Sequence, residues 1–92
     1  MHQIMDKHPS SEYLETIRKA ALSVEGVKET EKLKVQLFGP DAHVNIDIEL
    51  DPALCVEKAH IISQNVVLMI KKTLPIVREV IVHIEPYYPG DH

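Results

Sequence analysis

The chain has 92 residues, 45% of them hydrophobic and 26% charged, which suits one globular domain and is too short for two. Ten Lys and Arg stand against fourteen Asp and Glu, for a formal net charge of -4, and no basic cluster stands out, which argues against a nucleic-acid partner. No apolar run approaches the roughly 18 residues of a membrane span, and Met1 to His8 lacks the apolar stretch of a signal peptide.

The lone cysteine, Cys55, excludes an internal disulfide framework and suits a reducing compartment. A core this small gains from a partner or a ligand. An acidic chain with six histidines carries the side chains that divalent cations prefer.

Residues 1–9 read as a flexible lead-in. Ser10 or Ser11 caps a first helix, with Glu12 in its first turn. Leu14, Ile17, Ala20, Ala21 and Val24 recur at helical spacing and predict a helix over 11–24, with Gly26 at its C-terminal end. Leu33, Val35 and Leu37 then alternate with Lys32, Lys34 and Gln36 as a strand. Gly39-Pro40-Asp41 makes a turn. A second strand alternates more strictly: Val44, Ile46, Ile48 and Leu50 face one way, and His43, Asn45, Asp47 and Glu49 the other. The two strands form an antiparallel hairpin.

Asp51-Pro52 ends that strand. A second helix is predicted over 55–74, stopped by Pro75, with Val56, Ala59, Ser63, Val66, Val67 and Ile70 on its buried stripe. His60 sits at the margin of the stripe. Ile61 and Leu68 lie off it, as exposed apolar residues or a second contact. A last strand over 80–86 places Val80, Val82 and Ile84 on one face and Ile81, His83 and Glu85 on the other. Residues 88–92 form a tail.

The order helix, strand, strand, helix, strand implies an α+β domain: a three-stranded mixed sheet with both helices on its apolar face, ferredoxin-like but lacking the first strand. The helix before the last strand makes that strand parallel to the second. The other sheet face then carries Asp47, Glu49, His83 and Glu85. If the second and third strands are neighbours, Asp47 approaches His83. The bland alternatives are a solvated Asp47 paired with Lys34 across the hairpin, a His60 bonded at the core edge, and a Glu85 that only accepts a hydrogen bond from His83. Cys55 reads as a small apolar filler.

Ile4-Met5-Asp6, Ile17 to Val27, Gly39-Pro40, Asp47 to Pro52, Val56 to His60 and Val82 to Pro86, in this order, resemble the cytoplasmic C-terminal domain of cation diffusion facilitator transporters, which exchange divalent metal ions for protons. The resemblance covers nearly the whole chain. It implies a metallochaperone-like αββαβ domain over 10–87 that dimerises and binds Zn²⁺, with Mn²⁺, Co²⁺, Fe²⁺ or Cd²⁺ as other ions. It implies an N-terminal membrane domain in the full-length protein, so that this chain is the cytoplasmic domain of a cell-membrane protein. The ligand positions it implies fall on Asp47, His60, His83, Glu85 and Glu31, the last standing where relatives frequently carry histidine. Cys55 falls where relatives often have a capping Ser or Thr.

The leading expectation is therefore a regulatory domain that senses cytosolic metal and biases cation efflux. The alternatives are a stand-alone metal-buffering protein and a metal-free ferredoxin-like dimerisation domain. An enzyme is not expected: no nucleophile has an evident base partner, and no phosphate loop is present.

Overall fold

The computed structural model describes residues 9–90; all but the last residue of the expected lead-in over 1–9, and the last two residues of the tail, lie outside them. The elements run α1 (Ser11–Leu22), β1 (Glu29–Phe38), β2 (Asp41–Leu50), α2 (Val56–Thr73) and β3 (Val77–Pro86). The sheet order is β1-β2-β3, with β1 antiparallel and β3 parallel to β2. This is the expected α+β arrangement.

The central strand explains the fold's economy. Ala42, Val44, Ile46, Ile48 and Leu50 are all buried and share one face of β2, where Ile17, Ala20 and Ala21 of α1 and Val66 and Ile70 of α2 close over them. At about 25 cal/mol per Å² of apolar surface removed from water, this one-sided core is what drives the sheet and helices together. His43, Asn45 and Asp47 alternate onto the opposite face and are only half-buried, because no helix of the described residues covers it, although Glu49 on the same face is buried.

α1 starts where Ser10 Oγ accepts a hydrogen bond from the Tyr13 backbone N–H at 3.1 Å, satisfying one orphan donor of the first turn. α2 starts without that help, since Cys55 occupies its N-cap with no side-chain hydrogen bond. Cys55 is exposed, so it fills no apolar gap, which corrects the expectation of a packed filler. Burial of Tyr13 pushes its phenol above the ordinary value of 10.0, and its hydroxyl has no hydrogen-bond partner among the described residues.

The stripe of α2 also differs from expectation. Val56 is 85% exposed, while Leu54, just before the helix, packs against the core. Ile62 and Met69 join the stripe instead, because α2 packs against α1 as well as against the sheet. Ile61 and Leu68 remain 50% and 65% exposed.

Two loops show why glycine stands where it does. Gly39 has φ 59 at the first position of the two-residue loop that joins paired Phe38 and Asp41, so Asp41 opens β2 rather than forming the turn. Gly26 has φ 101, and a Cβ there would lie 2.5 Å from Ile62 Cδ1. Gly26→Ala should therefore destabilise by about 1–2 kcal/mol through backbone strain, with Ile62 swinging aside. Urea unfolding of the variant measures this, and an unchanged midpoint would contradict it.

Candidate metal centre

β2 and β3 run side by side, and their register pairs Asp47 with His83 and Glu49 with Glu85. Neighbouring strands lie about 4.8 Å apart, so paired side chains on one face stand within mutual reach. Asp47 and His83 both point to the uncovered face, where they line an open concavity of about 420 Å³ with Lys32, Lys34, Gln36 and Asn45. Among the described residues, neither Asp47 nor His83 is tied up in a side-chain hydrogen bond or an ion pair.

Glu31 reaches this face by an irregularity. Its partner is Asp47, so Glu31, Asp47 and His83 form one row across the three strands. Alternation counted back from Leu33 would turn Glu31 towards the core. The register instead shifts between Glu31 and Lys34, with Lys32 at φ 54. Two residues, Lys32 and Leu33, thus stand opposite Ile46 in a β-bulge, and the phase of β1 is reset. Glu31 is exposed on the outer strand.

Glu85 lies one row further along β3 and borders a separate depression with Leu50, Asp51, Ala59 and Tyr88. His60 is exposed on α2, in the helical layer on the other side of the sheet. The protomer therefore brings Asp47 and His83 together and lines up Glu31, but it holds His60 and Glu85 apart from them. No three His, Cys, Asp or Glu side chains among the described residues converge to hold one ion.

The donor set that does assemble is one imidazole and one carboxylate. Those donors suit Zn²⁺ and also Mn²⁺, Co²⁺ and Fe²⁺, for which His and Asp are ordinary ligands. Two donors leave coordination positions to be filled by water or by another protein surface. The open face leaves room for either.

Some features of this face escaped the sequence reading. His43 pairs with Glu79 in the β2–β3 register, its Nδ1 lies 3.5 Å from Glu79 Oε1, and its ring stacks obliquely on Phe38 with centroids 4.7 Å apart. The strict alternation of β2 does place His43 on the Asp47 face, but its partner Glu79 lies before the expected start of β3. That strand begins three residues early, at Val77, because a second register shift between Ala42 and His43 breaks the alternation there.

Residues 9–87 match the family described as "Cation efflux protein, cytoplasmic domain". The chain is 33% identical over 86 residues to Metal tolerance protein C1 of Arabidopsis thaliana, covering 94% of this chain and 18% of that protein. It is 31% identical over 87 residues to Metal tolerance protein 2 of Oryza sativa subsp. japonica, covering 95% and 22%. It thus spans about a fifth of the length of these relatives. Among solved structures, a MamM CTD variant in its nickel form superposes with a TM-score of 0.82 at 26% identity, covering 86% of this chain and 100% of that one. A cadmium form of another MamM CTD variant gives the same TM-score and identity, covering 85% and 98%. No helix of the described residues is long and apolar enough to cross a membrane. With its αββαβ order, its uncovered sheet face and a family match over nearly its whole length, the chain belongs to the cytoplasmic domains of the cation diffusion facilitator family of metal transporters.

Proposed function

We propose that this domain binds a divalent cation, Zn²⁺ foremost, dimerises, and thereby modulates the cation efflux of a transporter whose membrane part precedes it. The observation that carries the reading is the Asp47–His83 pair: a carboxylate and an imidazole in register on adjacent parallel strands, both facing an open concavity. A two-donor half-site on an uncovered face is suited to bridging. An ion held by one protomer completes its shell with donors from a second copy or from water, so metal binding and protomer arrangement become linked equilibria.

In this reading Glu31, in the same row, is an auxiliary donor, and Glu85 and His60 serve a second position reached across the dimer. The nickel and cadmium forms of the MamM domains support a divalent ion as ligand. Ile61, Leu68 and Tyr88 belong to the exposed large apolar residues of the domain and are the contacts assigned to a second copy. The domain performs no chemistry of its own and stands on the cytosolic side of the membrane.

Calorimetric titration with Zn²⁺, alongside sedimentation of the same samples, tests the proposal. The wild type should bind saturably, and Asp47→Ala or His83→Ala should weaken binding about 10-fold or more, since removing one of few ligands costs at least 1.4 kcal/mol. Sedimentation should show a dimer whose shape or dissociation changes with metal. Saturable binding that survives both substitutions would place the site elsewhere.

A further inference from the structure

We infer that Lys34, assisted by Lys32, is a tethered counter-cation of the Asp47–His83 pocket, one that an arriving divalent ion must displace, so that these lysines set the metal concentration at which the domain responds. The inference rests on the metal reading above and adds to it residues that are not ligands.

A site made only to hold a dication would exclude fixed positive charge, yet both lysines line this concavity. Lys34 pairs with Asn45, the residue two before Asp47 on the same face of β2. That makes Lys34 the diagonal neighbour of Asp47, at a spacing a lysine side chain spans. Among the described residues neither ammonium is fixed in an ion pair, with Asp47 or with another carboxylate, so both are free to swing towards or away from the pocket.

Lys32 adds an independent observation. Its φ of 54 lies in the left-handed region, where glycine and asparagine are favoured and other residues cost about 1 kcal/mol or more. The backbone at the bulge gives no preference for lysine. The bulge does, however, let Leu33 take the core-facing place and leaves Lys32 on the wall of the Asp47 pocket.

The physical consequence follows from charge. Without metal, the ammoniums of Lys32 and Lys34 offset the carboxylates of Asp47 and Glu31 in the same row, and the site is close to neutral. A dication entering the pocket is repelled by both lysines, and their flexible stems move outwards as it binds. Metal affinity is therefore lowered, by an amount that salt screens.

The test is Zn²⁺ titration by calorimetry of the wild type, Lys34→Met, Lys34→Arg, Lys32→Asn and His83→Ala, at about 0.05 M and 0.5 M salt. Asparagine tolerates the left-handed backbone, so Lys32→Asn removes charge without adding strain; unfolding in chelator verifies that each variant folds. Lys34→Met and Lys32→Asn should each bind Zn²⁺ roughly three- to tenfold more tightly at low salt. Lys34→Arg should match the wild type, and the differences should shrink at high salt. If the wild type binds and His83→Ala does not, but neither charge-removing variant gains affinity, the lysine inference falls and the metal reading stands. Weaker binding in Lys34→Met would overturn it in the same way, marking a supporting contact. If no protein binds Zn²⁺ saturably, both fall.

Discussion

Zn²⁺ at a hundredfold excess over its Kd should raise the unfolding free energy by about 2.7 kcal/mol, which for a domain of this size is a rise in Tm of roughly 10–20 °C. His83→Ala should abolish most of that rise. The reason lies in topology. Asp47 and His83 belong to β2 and β3, which pair in parallel and are joined only through α2. An ion bound by both residues exists only when that long-range pairing is formed, so its binding free energy becomes folding free energy.

The same substitution should cost little in chelator, within about 0.5 kcal/mol, because His83 is exposed and buries no core surface. Differential scanning of both proteins, with chelator and with Zn²⁺, reads all four values. An equal rise in both would assign the metal to other groups, including His2, His8 and His92, which lie outside the described residues. No rise in either would sink the metal reading. If the domain dimerises, Tm must also depend on protein concentration, so the comparison is made at one concentration.

Ile46→Ala should destabilise the domain by about 2–5 kcal/mol, a large share of the 5–15 kcal/mol that holds a domain folded. Ile46 is fully buried in the middle of the central strand and paired with Val82 of β3. It lies opposite the Lys32–Leu33 bulge of β1, between half-buried Asn45 and Asp47 on the other face. Truncation removes apolar contacts and leaves a cavity under both neighbouring strands, where neither helix can settle to fill it. Ile46→Val, which keeps the branched shape, should cost only about 0.5–1.5 kcal/mol. Urea unfolding gives both numbers. A cost for Ile46→Ala below about 1 kcal/mol would mean that the core is not centred on β2. Because Asp47 adjoins Ile46, Ile46→Ala should also loosen the pocket and weaken metal binding, as Ile46→Val should not.

Much of the fold was legible because its cues are local. Ser10, Pro75 and Gly39-Pro40 mark where elements begin, stop and turn, Ser10 through its side-chain oxygen and the others through the backbone angles they allow. The period-two pattern from Val44 to Leu50 marks a strand with one buried face, and it stays strict because the extra residues at both register shifts lie in β1 and β3, not in β2. Where the ladder is interrupted, the pattern misleads. β1 and β3 each continue across a register shift, and the residues beyond it, Glu29 to Glu31 and Val77 to Glu79, fell outside the expected strands. Val56 was misplaced for a different reason: helical spacing marks an apolar stripe, but α1, packed along the flank of α2, decides which part of that stripe is buried.

The candidate centre divides along the same line. Its chemistry was written in the chain: an imidazole at 83 and a carboxylate at 47, each on the face opposite the apolar one, because side-chain direction in a strand depends only on parity. What the residues could not show by themselves was that these two share a row, since register is set by how whole strands pack. Nor could they show that a bulge turns Glu31 onto that row and carries Lys32 to the pocket wall, or that the sheet separates His60 from the rest within one protomer. Parity is a property of neighbouring residues, and so it belongs to the sequence. Register, bulge and layer are settled by contacts between residues far apart in the chain, and those exist only once the tertiary structure has formed.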